Sequence, residues 1–161
     1  MTATAELLPG LARPDEWFRV GTANPTAVAL ANRHYSRRRP GRRIGGPWKC
    51  VALLTGDGAA LWLATYTTRP MDGLDAARCS IFRNEGSVLS SELIRSAMAH
   101  TEAAWRDVRP ADGWVTWVDA DRVASSNPGY CFLRAGWWRD HTYEPGRRRP
   151  TMRRFRARWS A

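Results

Sequence analysis

Lysine is almost missing from this chain. Lys49 stands alone, so 24 of the 25 basic residues are arginines. Cysteine is scarce too. Cys50, Cys79 and Cys131 are scattered and odd in number, which excludes a disulfide framework and fits a reducing, cytoplasmic compartment. No apolar run approaches the ~20 residues that a membrane span requires, so no membrane partner is expected. The stretch MTATAELLPGLARPDE has no positive region followed by an apolar one, so it does not read as a secretory signal. The chain has no P-loop, no local Ser/His/Asp signature, no Cys/His/Glu deaminase pattern, and no His-x-x-x-His or Cys-x-x-Cys metal spacing. Internal repeats and low-complexity linkers are absent as well.

What is there bounds the protein from the other side. Its 161 residues are 43% hydrophobic, enough for one domain with a real core and too apolar for a disordered chain. Residues 1–14 read as a loose lead-in, and residues 15–161 as a single domain. The net charge of +10 is segregated. Arg33 to Lys49 holds seven basic residues and no acid, and Pro145 to Ala161 holds seven more. The remainder is net acidic. The positive charge therefore sits in an internal loop (37–47) and a C-terminal strand and tail (146–161). Such localisation suits a polyanion, and arginine forks onto phosphate and guanine edges as lysine cannot. A GC-rich genome would explain arginine over lysine, but not the segregation. The candidate nucleic-acid contacts are Arg37, Arg38, Arg39, Arg42, Arg43, Arg147, Arg148 and Arg149, with Trp48 as a stacking neighbour. An RNA-binding partner or an acidic protein is the competing reading of the same charge.

Hydrophobic periodicity and turn chemistry predict an alternating α/β (α+β) order. Glu16 to Val20 reads as a strand. Asn24-Pro25 caps a helix over Thr26 to His34. Trp48 to Thr55 and Ala59 to Thr67 form a hairpin across Gly56-Asp57-Gly58. Cys79 to Asn84 is a strand, Val88 to Val108 the longest helix, and Gly113 to Asp119 another strand. Ser125, Ser126 and Asn127 read as caps of a short helix that Gly136 ends. Trp137 to Tyr143 and Thr151 to Ala157 close the chain as strands. Trp62, Trp105, Trp114 and Trp117 read as core, and Trp137-Trp138 as facing opposite sides of a strand.

This order, with Asn127-Pro128-Gly129-Tyr130-Cys131-Phe132-Leu133-Arg134-Ala135-Gly136-Trp137 near its end, resembles the GNAT (GCN5-related N-acetyltransferase) fold. That resemblance implies a central mixed, twisted sheet flanked by helices over residues 15–157. It also implies an acyl-CoA-like donor lying over the junction before the long helix. Here the junction reads Phe82-Arg83-Asn84-Glu85-Gly86-Ser87, with a single glycine where the family usually carries Gln/Arg-x-x-Gly-x-Gly/Ala. Asn84, Gly86, Ser87, Ser90 and Ser91, with Ser126 and Asn127, are the candidate donor-binding residues. At the position of the family's proton-donating tyrosine stands Phe132. The set Asn32-Arg33-His34-Tyr35-Ser36, Phe82-Arg83-Asn84-Glu85 and Asn127-Pro128-Gly129-Tyr130 is similar to the phage Mom family. Those GNAT-like proteins add a carbamoylmethyl group to adenine in DNA and protect it from restriction. The likeness implies double-stranded DNA as partner and a bacterial host cytoplasm as the setting.

Candidate catalytic residues follow, each with a plainer alternative. His34, with Tyr35 and Ser36 beside it, reads as general base or metal ligand, or as a helix C-terminal histidine favoured by the dipole. Arg83 and Glu85 read as a phosphate-holding cation and a proton acceptor, or as a simple ion pair. Asp119 reads as base or ligand, or as part of a polar loop with Asp121. His34, Glu85 and Asp119 together would make an open shell suited to iron, by resemblance. Tyr130 reads as proton donor or stacking face, or as a buried tyrosine. Three functions remain in play: a Mom-like DNA base modifier, an acetyl-CoA-dependent N-acetyltransferase acting on a small amine, protein or aminated base, and a non-catalytic nucleic-acid-binding module.

Overall fold

In the computed structural model, which describes residues 13–160, the chain runs in this order: β1 (Trp17–Val20), α1 (Pro25–Asn32), β2 (Lys49–Thr55), β3 (Ala60–Tyr66), β4 (Ala77–Asn84), α2 (Ser90–Ala104), β5 (Trp114–Asp119), α3 (Tyr130–Arg134), β6 (Trp138–Arg139), β7 (Met152–Ala157). The strands make one seven-stranded sheet in the order β1-β2-β3-β4-β5-β7-β6. Every neighbouring pair is antiparallel except β4 and β5. The architecture is thus mixed α+β. Most of the expected lead-in, residues 1–12, lies outside the described residues. None of the described helices is long and apolar enough to cross a membrane.

Local sequence accounts for most elements. Asn24 caps α1, its side chain accepting the Ala27 N–H at 3.1 Å, with Pro25 in the first turn. The Asp57 carboxylate closes the β2–β3 hairpin, accepting from Thr55 Oγ1 at 2.8 Å and from the Ala59 N–H at 3.0 Å.

Four expectations need correction. The α1 helix stops at Asn32, so His34 lies beyond it. The α2 helix is shorter than Val88 to Val108 at both ends. The β6 strand is two residues rather than seven, because the Asp140 side chain accepts the Thr142 N–H at 3.0 Å and turns the chain out of the ladder. Asn127 does not cap α3. That helix starts behind Gly129, whose φ of +83° and tight seat on Phe155 fix the entry; a Cβ there would lie 2.2 Å from Phe155 Cζ.

The two faces of the sheet differ. On one, α2 and α3 cover a core built around tryptophan. The indole N–H groups serve as polar anchors for α2. Trp17 donates to Leu93 O at 3.0 Å, Trp62 to Thr101 Oγ1 at 3.1 Å, and Trp114 to the buried Glu102 carboxylate at 2.9 Å. Trp137 is buried on this side while Trp138 is exposed, as the strand period requires. On the other face α1 packs over β3 and β4 with Ile44, Leu61, Leu63 and Ile81. That core stops at β4, and no residue of β5, β6 or β7 belongs to it.

Candidate functional site

The one parallel pairing is short. Only Ala77↔Trp114 and Arg78↔Val115 join β4 to β5. Just beyond, β4 bulges against β3, where the register shifts between Leu63 and Ala64. The backbone ladder to β5 ends there, and a side chain takes over: Thr116 Oγ1 donates to Cys79 O at 2.8 Å. A cavity of about 110 Å³ opens between the unpaired ends, lined by His34, Tyr35, Phe82, Trp117, Cys131 and Phe132 among others. A second cavity of about 230 Å³ adjoins it and shares Tyr35, Cys79, Ser80 and Trp117. Arg78, Arg122 and Arg149 line this second space along with Ser36.

Tyr35 stands between the two spaces. Its hydroxyl donates to Trp117 O at 3.4 Å and accepts the Asp119 N–H at 3.3 Å, tying the segment after α1 to the end of β5. Burial raises its pKa above the usual phenol value, so the proton stays on at neutral pH. The His34 ring stacks on Tyr35 at 4.5 Å. Its Nδ1 accepts the Ser36 N–H at 3.3 Å and lies 2.7 Å from Ser36 Oγ, so the neutral ring carries its proton on Nε2. Burial, helped by the Arg83 charge, pushes the His34 pKa down to about 4. The site therefore pairs a protonated phenol with a neutral imidazole and a hydroxyl.

Arg83 and Glu85 form an ion pair, the plainer of their two readings, and Arg33 completes it. Arg33 grips both Glu85 oxygens at 2.9 Å, Arg83 Nε also donates to Glu85, and Arg83 Nη1 donates to Arg33 O at 2.8 Å. These hydrogen bonds hold the Glu85 carboxyl down at about 2. With both oxygens engaged, Glu85 positions two arginines rather than accepting protons. Asp119 is buried and accepts from Thr151 Oγ1 at 2.5 Å, with Arg122 Nε 3.8 Å from its other oxygen.

These engagements bear on iron. His34, Glu85 and Asp119 do not converge, and among the described residues no group of three or more His, Cys, Asp or Glu is placed to hold a metal ion. The carboxylates are already satisfied by arginine and threonine. The set does not fit an iron shell, and no step is drawn through one.

The junction before α2 is organised differently. Asn84 braces it: Oδ1 accepts the Gly86 N–H at 2.9 Å, and Nδ2 donates to Val88 O at 2.8 Å and Ser90 Oγ at 3.0 Å. Leu89 at the N-cap supplies no capping side chain. Among the described residues, no backbone acceptor meets the N–H groups of Ser87, Val88, Leu89 or Ser90. Those are the free donors of a helix start, and Asp57 lines the same space as Ser87 and Val88. The Ser91 side chain is buried beneath them.

Other predicted residues lie apart. Tyr130 is 52% exposed and lines neither space; the inward side chain of α3 is Phe132, edge-on to Phe82. Ser126 and Asn127 are exposed in the preceding loop and line neither space. Arg38, Arg39, Arg42, Arg43, Arg147 and Arg148 are exposed, while Arg37 bonds Arg43 O at 3.1 Å and so braces its own loop. None of these arginines is ion-paired among the described residues. The two basic segments nonetheless reach one place. Arg37 follows Ser36 directly, and Arg149 lines the same space as Ser36.

Sequence reasoning missed Arg33, Thr116 and Ser80, and assigned Trp117 to the core. The period of two along β5 would have placed Trp117 on the face of Asp119, away from Trp114 and Val118. No family model, curated protein or solved structure matches this chain.

Proposed function

We propose that this protein is a DNA-modifying transferase with a GNAT-like fold, similar to the Mom family, that places a carbamoylmethyl or acyl-type group on the exocyclic amine of a DNA base, adenine foremost. In a phage-infected bacterial cytoplasm such a mark would protect DNA from restriction. One observation carries the reading. The split between β4 and β5 holds Tyr35, His34 and Ser36, and both arginine segments come to its rim.

The roles follow from the geometry. Arginines of the loop and tail hold phosphates of the DNA duplex. The target base leaves the stack, since an amine inside a duplex does not reach a recessed phenol. Arg83, set by Glu85 and Arg33, offers positive charge at the end of β4. Ser36 Oγ takes the amine proton as the new N–C bond forms and hands its own to His34 Nδ1, 2.7 Å away, which carries it only in passing because burial disfavours the charged ring. Tyr35 gives up its proton to the departing group. The N–H groups of residues 87–90 would hold the phosphates of an acyl-CoA-like donor, which when bound supplies the activated carbon.

The test is expression in bacteria carrying a plasmid, digestion of that plasmid to nucleosides, and mass spectrometry. A modified deoxyadenosine heavier by an acetamido-sized group is expected. A different mass on another base would keep DNA modification and reject the Mom-like chemistry. Normal nucleosides alone, from folded protein, would overturn the reading. Acetyl-CoA turnover with a free amine would then mark an ordinary N-acetyltransferase.

A further inference from the structure

The sheet face that α1 leaves open beyond β4 is neither apolar nor flat. Three spaces lie along it in series. One of about 310 Å³, bordered by Trp48 and Arg69, shares Arg78 and Ser80 with the 230 Å³ space beside Tyr35. That space shares Met152 with a third, of about 370 Å³, bordered by Tyr143 and Arg154, and the register sets Trp138 on the same face at its outer end. Together they form a trough across β3, β4, β5, β7 and β6. At the usual strand spacing it is about 20 Å long, with the Tyr35 cleft near its middle.

Its charge is one-sided. Asp72, Asp119 and Asp140 each have an arginine partner, in Arg78, Arg122 and Arg154. On this face Arg69 and Arg149 have no acidic partner among the described residues, Asp121 is the one carboxylate along the trough left unpaired, and Arg139 and Arg153 fall on the opposite face with Phe155. Free cations thus occur at the Trp48 end and beside the cleft.

The trough also carries aromatic surface. Trp48 is 52% exposed, and its ring is seated against Gly46, where an added Cβ would sit 2.4 Å from a ring carbon. Arg78 covers Trp117 at 6.0 Å in the centre. A cationic track with seated aromatic rings stacks unpaired bases, whereas the bases of a duplex keep their faces to one another.

We propose that the DNA strand carrying the target base lies single-stranded across this open face, from Trp48 to Trp138, with the target base turned into the Tyr35 cleft. The proposal rests on the DNA reading above and narrows it. The arginine loop engages duplex on the flank, and the trough selects melted or unpaired DNA.

Fluorescence anisotropy at one fixed salt concentration tests it. The probes are a labelled oligothymidylate of about twelve nucleotides and a duplex of equal length. The oligothymidylate should bind about tenfold more tightly. Trp48→Ala and Trp138→Ala change exposed side chains at opposite ends, and unaltered thermal melting will show that both fold. Each should weaken single-strand binding about fivefold while leaving duplex binding within about twofold. Equal or tighter binding of the duplex overturns the proposal, as does single-strand affinity unmoved by both variants. If modified nucleosides still appear in the plasmid assay, the trough alone falls. If neither probe binds and no modified nucleoside forms, the DNA reading falls with it.

Discussion

Tyr35 holds its place through contacts to residues more than eighty positions away, and its proton stays bound because burial disfavours the phenolate. Replacing it with Phe keeps the ring and the His34 stack and removes the hydroxyl with its transferable proton and its two hydrogen bonds. The yield of modified nucleoside should fall about 10²- to 10⁴-fold. The melting temperature should move little, since the two lost hydrogen bonds are long. A drop in yield matched by unfolding would make Tyr35 a structural residue.

His34 and Glu85 both contribute to the acid side of stability, beside the lowered carboxyls of Asp72, Asp75 and Asp140. A histidine whose folded pKa lies near 4 is bound by fewer protons than its unfolded form between pH 4 and 6.5. Its contribution is complete above pH 6.5 and is lost as the pH falls towards 4. Glu85, held at about 2 against a usual 4.5, contributes fully above pH 4.5 and loses this as the pH falls through 2. Denaturation midpoints should therefore fall steadily on acidification from pH 6.5. His34→Gln should flatten the part between 4 and 6.5 and leave the rest. An unchanged profile would mean that His34 titrates normally.

At the scale of elements, the ends of α3 separate two uses of glycine. Gly129 and Gly136 both have positive φ, but a Cβ at Gly136 would meet nothing within 4 Å, whereas at Gly129 it would strike the Phe155 ring. Gly136→Ala should cost about 1 kcal/mol from backbone strain alone. Gly129→Ala should cost about 2–4 kcal/mol, because strain and overpacking add. Equal losses in denaturant titration would show that Phe155 yields easily. The short ladder between β4 and β5 belongs to this scale too. Strand identity was readable from alternation, but the end of pairing depends on the β4 bulge and on Thr116, neither of which has a sequence signal.

For the whole molecule, segregated charge is the property that solution measurements read. Removing Arg37, Arg38 and Arg39 together by alanine substitution should weaken duplex binding. The slope of log affinity against log salt should drop by about 0.9 for each arginine that touched a phosphate. An unchanged slope would place the duplex elsewhere. These residues were visible in the sequence as a basic run; Arg38 and Arg39 remain exposed in the fold, and none of the three has an acidic partner among the described residues. The convergence of Arg149 with Ser36 was not visible, since more than a hundred residues separate them.

The sequence alone determined the succession of strands and helices and the two basic segments. These are local properties: side-chain periods of 2 and 3.6, a capping Asn-Pro, a Gly-Asp-Gly turn, and runs of arginine act over a few neighbouring residues. Only the tertiary structure decided which groups share the cleft. It paired Glu85 with Arg33 as well as Arg83, put Phe132 rather than Tyr130 beneath α3, and left one sheet face bare beyond β4. Each of these depends on contacts between distant segments. Such contacts are settled when the tryptophan-rich core packs against α2 and the β4 bulge parts the two parallel strands.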